Sequence, residues 1–333
     1  MRKILPPSKI LVAVKRLHAN SLPAVLKAAQ IARATGAEIE LFHALSEPIY
    51  LDLYEADHLG RVGLQEQLIT DAKRKLENIA DRLRVHSIRV KVSVGWDFPA
   101  YEAIVRQALK GKADLIVVQR YGSRHTAAAL MQLTDWELVK ISPIPVLLVK
   151  NPRPYRHPAI LAAVDPSHRF GKTLELDRSI LRAGSALSHG LGGKLHVVHA
   201  YNALPLFGFS SAATVDVIDA MAQQATRKAS ASLERTLGTI DVAKSRRYLL
   251  PGRPIEAIRE TARRTRSAIV VMGALSRSGL SRLLIGNTAE RILDDLPCDI
   301  LVVKPSSFRT PVALKQRGAR MRVASSVNML GYY

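Results

Sequence analysis

The stretch IVVMGALSRSGLSRLLIGNTAERILDDLPCDILVVKP, residues 269–305, decides the fold. It opens on an apolar run that stops at Gly273. A loop with glycines at 279 and 286 follows, then a helical stretch from Thr288, then a second apolar run, DILVV. Runs that are apolar at every successive position fit parallel strands covered on both faces. Strand, helix and strand in that order make one crossover unit of a parallel sheet, which is right-handed almost without exception.

Upstream of it, PAILAAVDPS (158–167) and KLHVVHAY (194–201) are further strand-like runs separated by the helical LELDRSILRAGSALSHGLGG. The whole series then recurs about 150 residues earlier. SKILVAVKR (8–16), SLPAVLKAAQIARATGA (21–37) and EIELFHAL (38–45) match the beginning. VSVGWDFPAYEAIVRQALKGKADLIVVQRYGS (92–123) matches YLLPGRPIEAIRETARRTRSAIVVMGALS (248–276), and PIPVLLVKNP (143–152) matches PCDILVVKP (297–305). Apolar residues at helical spacing predict long helices over 64–85 and 215–237. The alternation predicts an α/β fold: two tandem doubly wound parallel five-stranded sheets, strand order 3-2-1-4-5, packed as a pseudo-dimer through their last strands. The domains are set at 1–151 and 152–308, with a tail at 309–333. The proline-rich NPRPYRHP (151–158) links the halves.

Composition narrows the function classes. A chain of 333 residues with 47% hydrophobic and 23% charged residues can bury two cores. A single cysteine excludes a disulfide framework and any CxxC metal site within one chain. No apolar run approaches the roughly 18 residues of a membrane span. The basic N-terminus meets two prolines before any apolar stretch, so no secretory signal is expected and the cytoplasm is the default compartment. The net charge of +21 favours phosphate-rich partners in general. Part of it sits in the tail, which has five basic residues and no acid.

Ligands of open parallel sheets bind at the carboxyl ends of the strands. After the first strand of each half, the second half places Asp165 and the first half Lys15. A carboxylate accepts hydrogen bonds from a ribose hydroxyl or an adenine amine, whereas a lysine cannot accept. Asp165 before Pro166 is equally a turn or helix-cap residue. Gly171-Lys172-Thr173 in the same loop is half a P-loop, but the first glycine would fall on Pro166, which has no N–H for a phosphate. After the fourth strand the second half offers Gly273, Gly279 and Gly286-Asn287-Thr288, the last group opening a helix whose N–H groups favour an anion. Arg277 and Arg282 add charge. The first half has Arg120 where Gly273 stands and keeps only Gly122.

With ILAAVDPS, residues 269–305, and LTDWELVKISPIPVLLVKNP in the first half, the chain resembles the universal stress protein family in its tandem two-domain form, over residues 8 to about 313. The resemblance implies an adenine-nucleotide-hydrolase-like fold and a cytoplasmic stress role. Nucleotide-binding members carry G-x2-G-x9-G-(S/T) after the fourth strand. Here Gly273 and Gly286 fill the first and third places, Ser276 replaces the second glycine, and Asn287 replaces the Ser/Thr. The family's aspartate falls on Asp165, and its adenine-side strand positions fall on Ala200 and Met272. Asn287 can still donate from its amide.

His196 and His199 lie three apart on a strand and face opposite sides, so no shared metal is expected beyond magnesium carried by a nucleotide. Cys298 reads as an inert core thiol. No GxSxG or HExxH occurs. Three functions stand: a non-catalytic stress-response factor binding ATP or another adenine nucleotide in the second half; a ligand-free tandem scaffold with vestigial sites, working through protein or small-molecule contacts; and, on charge alone, a non-specific nucleic-acid binder. No membrane partner is expected, and a homo-oligomer is left open.

Overall fold

The computed structural model describes residues 6–19, 21–46, 58–120, 129–166, 174–203, 215–273 and 296–315. The first half runs β1 (Lys9–Ala13), α1 (Pro23–Thr35), β2 (Glu38–Leu45), α2 (His58–Arg84), β3 (Val90–Trp96), α3 (Ala100–Lys110), β4 (Leu115–Gln119), α4 (Ala129–Ile141) and β5 (Val146–Val149). The second runs β6 (Ala159–Val164), α5 (Leu174–Gly190), β7 (Lys194–Tyr201), α6 (Val215–Leu237), β8 (Arg247–Pro251), α7 (Pro254–Arg264), β9 (Ile269–Gly273) and β10 (Asp299–Val303).

Local chemistry sets these limits. Pro23 opens α1, where a missing N–H costs nothing. Gly36 closes it in the left-handed conformation, φ 71°, with its N–H on the Ala32 carbonyl. The central strands β4, β9 and β10 are buried at nearly every residue, as both-face coverage requires. Helix α6 spans the residues expected; α2 starts six residues earlier than the spacing indicated.

Among the described residues, the ten strands form one sheet, ordered β3-β2-β1-β4-β5-β10-β9-β6-β7-β8. Two five-stranded sheets packed through their last strands were the expectation; the last strands do meet, but they join the halves into one continuous sheet, which corrects the count of sheets. The junction is β5 with β10, antiparallel, pairing Leu148 with Ile300, Leu147 with Leu301 and Val146 with Val302. Every other pairing is parallel. The physical reason lies in the edges: two short last strands, VLLV and DILVV, would each leave a row of unpaired backbone groups, and each satisfies the other's.

Helices cover both faces. Residues of α1, α2, α5 and α6 pack with Ile10, Val117, Ile160 and Val271 on one side. Residues of α3, α4 and α7 pack with Leu11, Ile116, Leu161 and Val270 on the other.

The halves are also joined by charge. Asp299, at the start of β10, is wholly buried and accepts hydrogen bonds from four donors. These are Lys27 of α1, the Tyr155 hydroxyl at 2.6 Å, and the backbone N–H groups of Lys150 at 2.9 Å and Asn151 at 3.0 Å. Burial, and then Asp299, push the Tyr155 hydroxyl well above its ordinary range, so it stays a donor. Gln30 of α1 exchanges two hydrogen bonds with the Tyr155 backbone. Lysines cross the junction in both directions: Lys150 donates to the Leu296 carbonyl, and Lys304 to the Lys140 carbonyl in the last turn of α4, where a cation suits the helix dipole.

The chain after β10 returns to the first half. Val312 is buried, and the Ala313 carbonyl accepts from Arg106 Nε at 2.7 Å. Arg106, itself buried, also donates to Asp97 and Glu102. Residues 309–315 are therefore part of the folded body. The rest of the basic tail lies outside the described residues.

Candidate functional site

At the carboxyl ends of the second half's strands, four of the predicted site residues come together. Asp165 directly follows β6. Met272 sits beside Ala163 in the β6–β9 register, and Val198 sits beside Ala163 on the other flank. Asp165, Ala200, Met272 and Gly273 line one cleft with Ala163, Val164, Val198 and, from α7, Pro254 and Ile258. The cleft measures about 60 Å3, room for about two waters. Its walls are mostly apolar, and among the described residues Asp165 is the one charged residue in them.

The backbone under Asp165 is held by a residue that the sequence did not single out. Asp177, in the first turn of α5 and fully buried, accepts the Asp165 N–H at 3.1 Å. The signal was present: LELDRS puts an acid on the inward face of a helix whose neighbours at that face, Leu176 and Ile180, are core. Ser232 of α6 donates to the Pro166 carbonyl at 3.2 Å, fixing the next residue as well.

Gly273 has a packing explanation. A Cβ built on it would lie 2.7 Å from Leu176 Cδ2 and 3.3 Å from Ile180 Cδ1. Its missing side chain faces α5, so helix-on-sheet contact already demands glycine there. Ser276, Gly279, Gly286, Asn287 and Thr288, with Arg277 and Arg282, lie outside the described residues, as do Gly122 and 171–173.

The first half builds something different at the equivalent place. Asp135 of α4 is desolvated, which pushes its carboxyl up to about 6, while Lys15 and Arg120 pull it back. Arg120 also lies over the Trp136 ring, 5.6 Å from its centroid. Two cations, an acid and an indole thus stand where the second half has Asp165, Gly273 and an apolar cleft. The His43 ring is within 2.7 Å of the Val14 carbonyl, at the end of β1.

The remaining titratable groups are structural. Burial pushes the Cys298 thiol up to about 12, with Asp299 adding to it. His196 stacks on Tyr248 at 5.9 Å, and burial lowers its pKa. His199 is buried. No group of three His, Cys, Asp or Glu suited to a metal occurs among the described residues. Among them, too, no helix is long and apolar enough to cross a membrane.

Known proteins resemble this chain in sequence and fold. The chain is 27% identical over 307 residues to universal stress protein E of Escherichia coli K12, covering 88% of this chain and 92% of that one. The crystal structure of a functionally unknown protein from Pseudomonas aeruginosa PAO1, 25% identical, matches at a TM-score of 0.67 over 90% of this chain and 94% of that one. A universal stress protein solved in complex with cAMP matches 43% of this chain and 96% of that one, at 24% identity and a TM-score of 0.30. The family model described as Universal stress protein family matches twice, over residues 7–150 and 159–304. With a full family match in each half, the chain belongs to the universal stress protein family.

Proposed function

We propose that the protein is a cytoplasmic, non-catalytic stress-response factor whose second half binds an adenine nucleotide, and whose first half has given up that site. One observation carries the reading: Asp165, Ala200, Met272 and Gly273 surround a single cleft in the second half, while Lys15, Arg120 and Asp135 interact at the matching strand ends of the first. In the second half a carboxylate lining the cleft can accept from a ribose hydroxyl or an adenine amine, and apolar walls suit the base. The family motif assigns the phosphates to Gly286-Asn287-Thr288, and magnesium would arrive with them. In the first half the acceptor is replaced by lysine and the close-packed glycine by arginine.

The antiparallel β5–β10 pairing supports a second element of the proposal, that the two halves act as a built-in dimer with only one working site. The alternative, a ligand-free scaffold, draws on the small volume of the cleft. Mass spectrometry of small molecules released from the purified full-length protein separates the two. ATP or another adenine nucleotide at near one per chain supports the first reading, and its absence supports the scaffold.

A further inference from the structure

At the other end of the second half's strands, roughly 20 Å from Asp165 along β6, lies a groove of about 610 Å3. The linker forms one wall, and the turn Thr265–Ala268 between α7 and β9 forms another. Lys27 of α1 lies at the junction side. Its lining holds Lys27, Arg153, Arg156, His157 and Arg266, and no Asp or Glu.

The positive charge there is not equally committed. Lys27 is satisfied by Asp299, by the Asn151 carbonyl at 2.6 Å and by the Tyr155 ring face at 4.6 Å. Arg153, Arg156 and Arg266 are exposed, and none of their guanidinium groups makes an ion pair or hydrogen bond among the described residues. Three such cations around one groove repel one another, and hydrogen bonds fix the backbone that carries them. Arg153 N–H is tied to Asn151 Oδ1 at 2.9 Å, the Tyr155 backbone to Gln30, and the His157 ring to the Gly192 carbonyl at 2.9 Å. His157 and Arg266 both take left-handed backbone, φ 43° and 49°. That conformation costs free energy for a side-chain-bearing residue and persists only where its surroundings enforce it.

We propose that this groove is an anion site for a small molecule carrying two or more phosphate groups. Its volume falls within the range of small-molecule sites, about 300–1,000 Å3. Planar guanidinium forks match phosphate oxygens, and a pinned wall lowers the ordering cost of binding. The site is separate from the cleft at Asp165 and lies beside the linker that joins the halves, so its occupant would tighten the junction at Tyr155.

Inorganic pyrophosphate is the probe, titrated calorimetrically into the full-length protein, with thermal melting in parallel against potassium chloride at equal ionic strength. Pyrophosphate is expected to bind and to raise the melting temperature above the chloride control. Arg156→Gln with Arg266→Gln is expected to weaken binding by at least about tenfold, as loss of charge-assisted contacts does. Lys73→Gln with Arg82→Gln, an equal loss of exposed charge on α2, is expected to change it by less than about twofold, since a distant charge is largely screened. Pyrophosphate acting no differently from chloride would overturn the proposal. So would an Arg156→Gln, Arg266→Gln variant that binds as well as the parent.

Discussion

Lys27 Nζ donates to Asp299 Oδ2 across the junction of the halves, and the two side chains are 2% and 0% exposed. The residues stand 272 positions apart. The aligned position in the first half is Pro145, so the contact is not repeated by the internal symmetry. It gives the tandem a fixed polarity, in which α1 of the first half grips the last strand of the second. Two charges withdrawn from water are compensated only because Asp299 has four donors and Lys27 two acceptors and a ring face.

Removing one partner strands the other charge in the interior. Lys27→Met is expected to destabilise the protein by about 3–5 kcal/mol in urea unfolding, the usual cost of an orphaned buried ion. Lys27→Met combined with Asp299→Asn should cost less than the sum of the single changes, because the pair is lost together. Strictly additive costs would mean that the two side chains do not act as a unit.

Gly273 is held to glycine by Leu176. Gly273→Val should cost about 1–3 kcal/mol through overpacking, and Leu176→Ala in the same chain should recover part of that cost by opening the space. The measurement is a double-mutant cycle on unfolding free energy. No coupling would return Gly273 to a role in ligand approach alone.

The end of the folded body lies beyond residue 308. A chain stopped after 308 loses buried Val312 and the Ala313 carbonyl that Arg106 needs. It should be less stable by about 2 kcal/mol or more. A chain stopped after 315 keeps both contacts and should match the parent. Equal melting of the two truncations would show that this strap contributes nothing.

Two groups give stability a signed pH dependence. Burial lowers Lys304 to about 8, against 10.5 for a free lysine. The folded protein therefore releases this proton first, the cost is fully present below about pH 8, and stability rises from there to about 10.5. Burial raises Asp135 to about 6 from 3.8. Here the folded state holds the proton longer, so stability falls as pH climbs from about 4 to about 6. Lys304→Met and Asp135→Asn should each flatten the slope in its own window, measured by denaturation across pH. An unchanged slope in either variant would remove that group as its source.

What the sequence made legible was whatever repeats or runs. IVVMG and ILVV were recognisable as central strands because burial on both faces leaves no polar position in them. The switch from Asp165 to Lys15 was visible because the halves align. Single polar residues inside amphipathic helices were not. Lys27 in PAVLKAAQIARAT reads as an ordinary solvent-facing lysine until β10 arrives beside it from the far end of the chain. Asp177 reads as a first-turn acid, and only the folded loop shows it holding the Asp165 N–H. Fusion into one sheet was missed for a related reason: two matching edge strands signal contact, but their sequence does not distinguish face-to-face packing from a shared ladder.

The central claim, one nucleotide site carried by the second half, is tested most directly by the stoichiometry of ATP binding to the full-length protein in the presence of magnesium. Isothermal titration of the parent, of Asp165→Ala and of Lys15→Ala is the measurement. The account predicts about one ATP per chain, binding lost or weakened by about tenfold in Asp165→Ala through the missing acceptor, and Lys15→Ala indistinguishable from the parent. Two ATP per chain, or binding that survives Asp165→Ala and falls with Lys15→Ala, would contradict it.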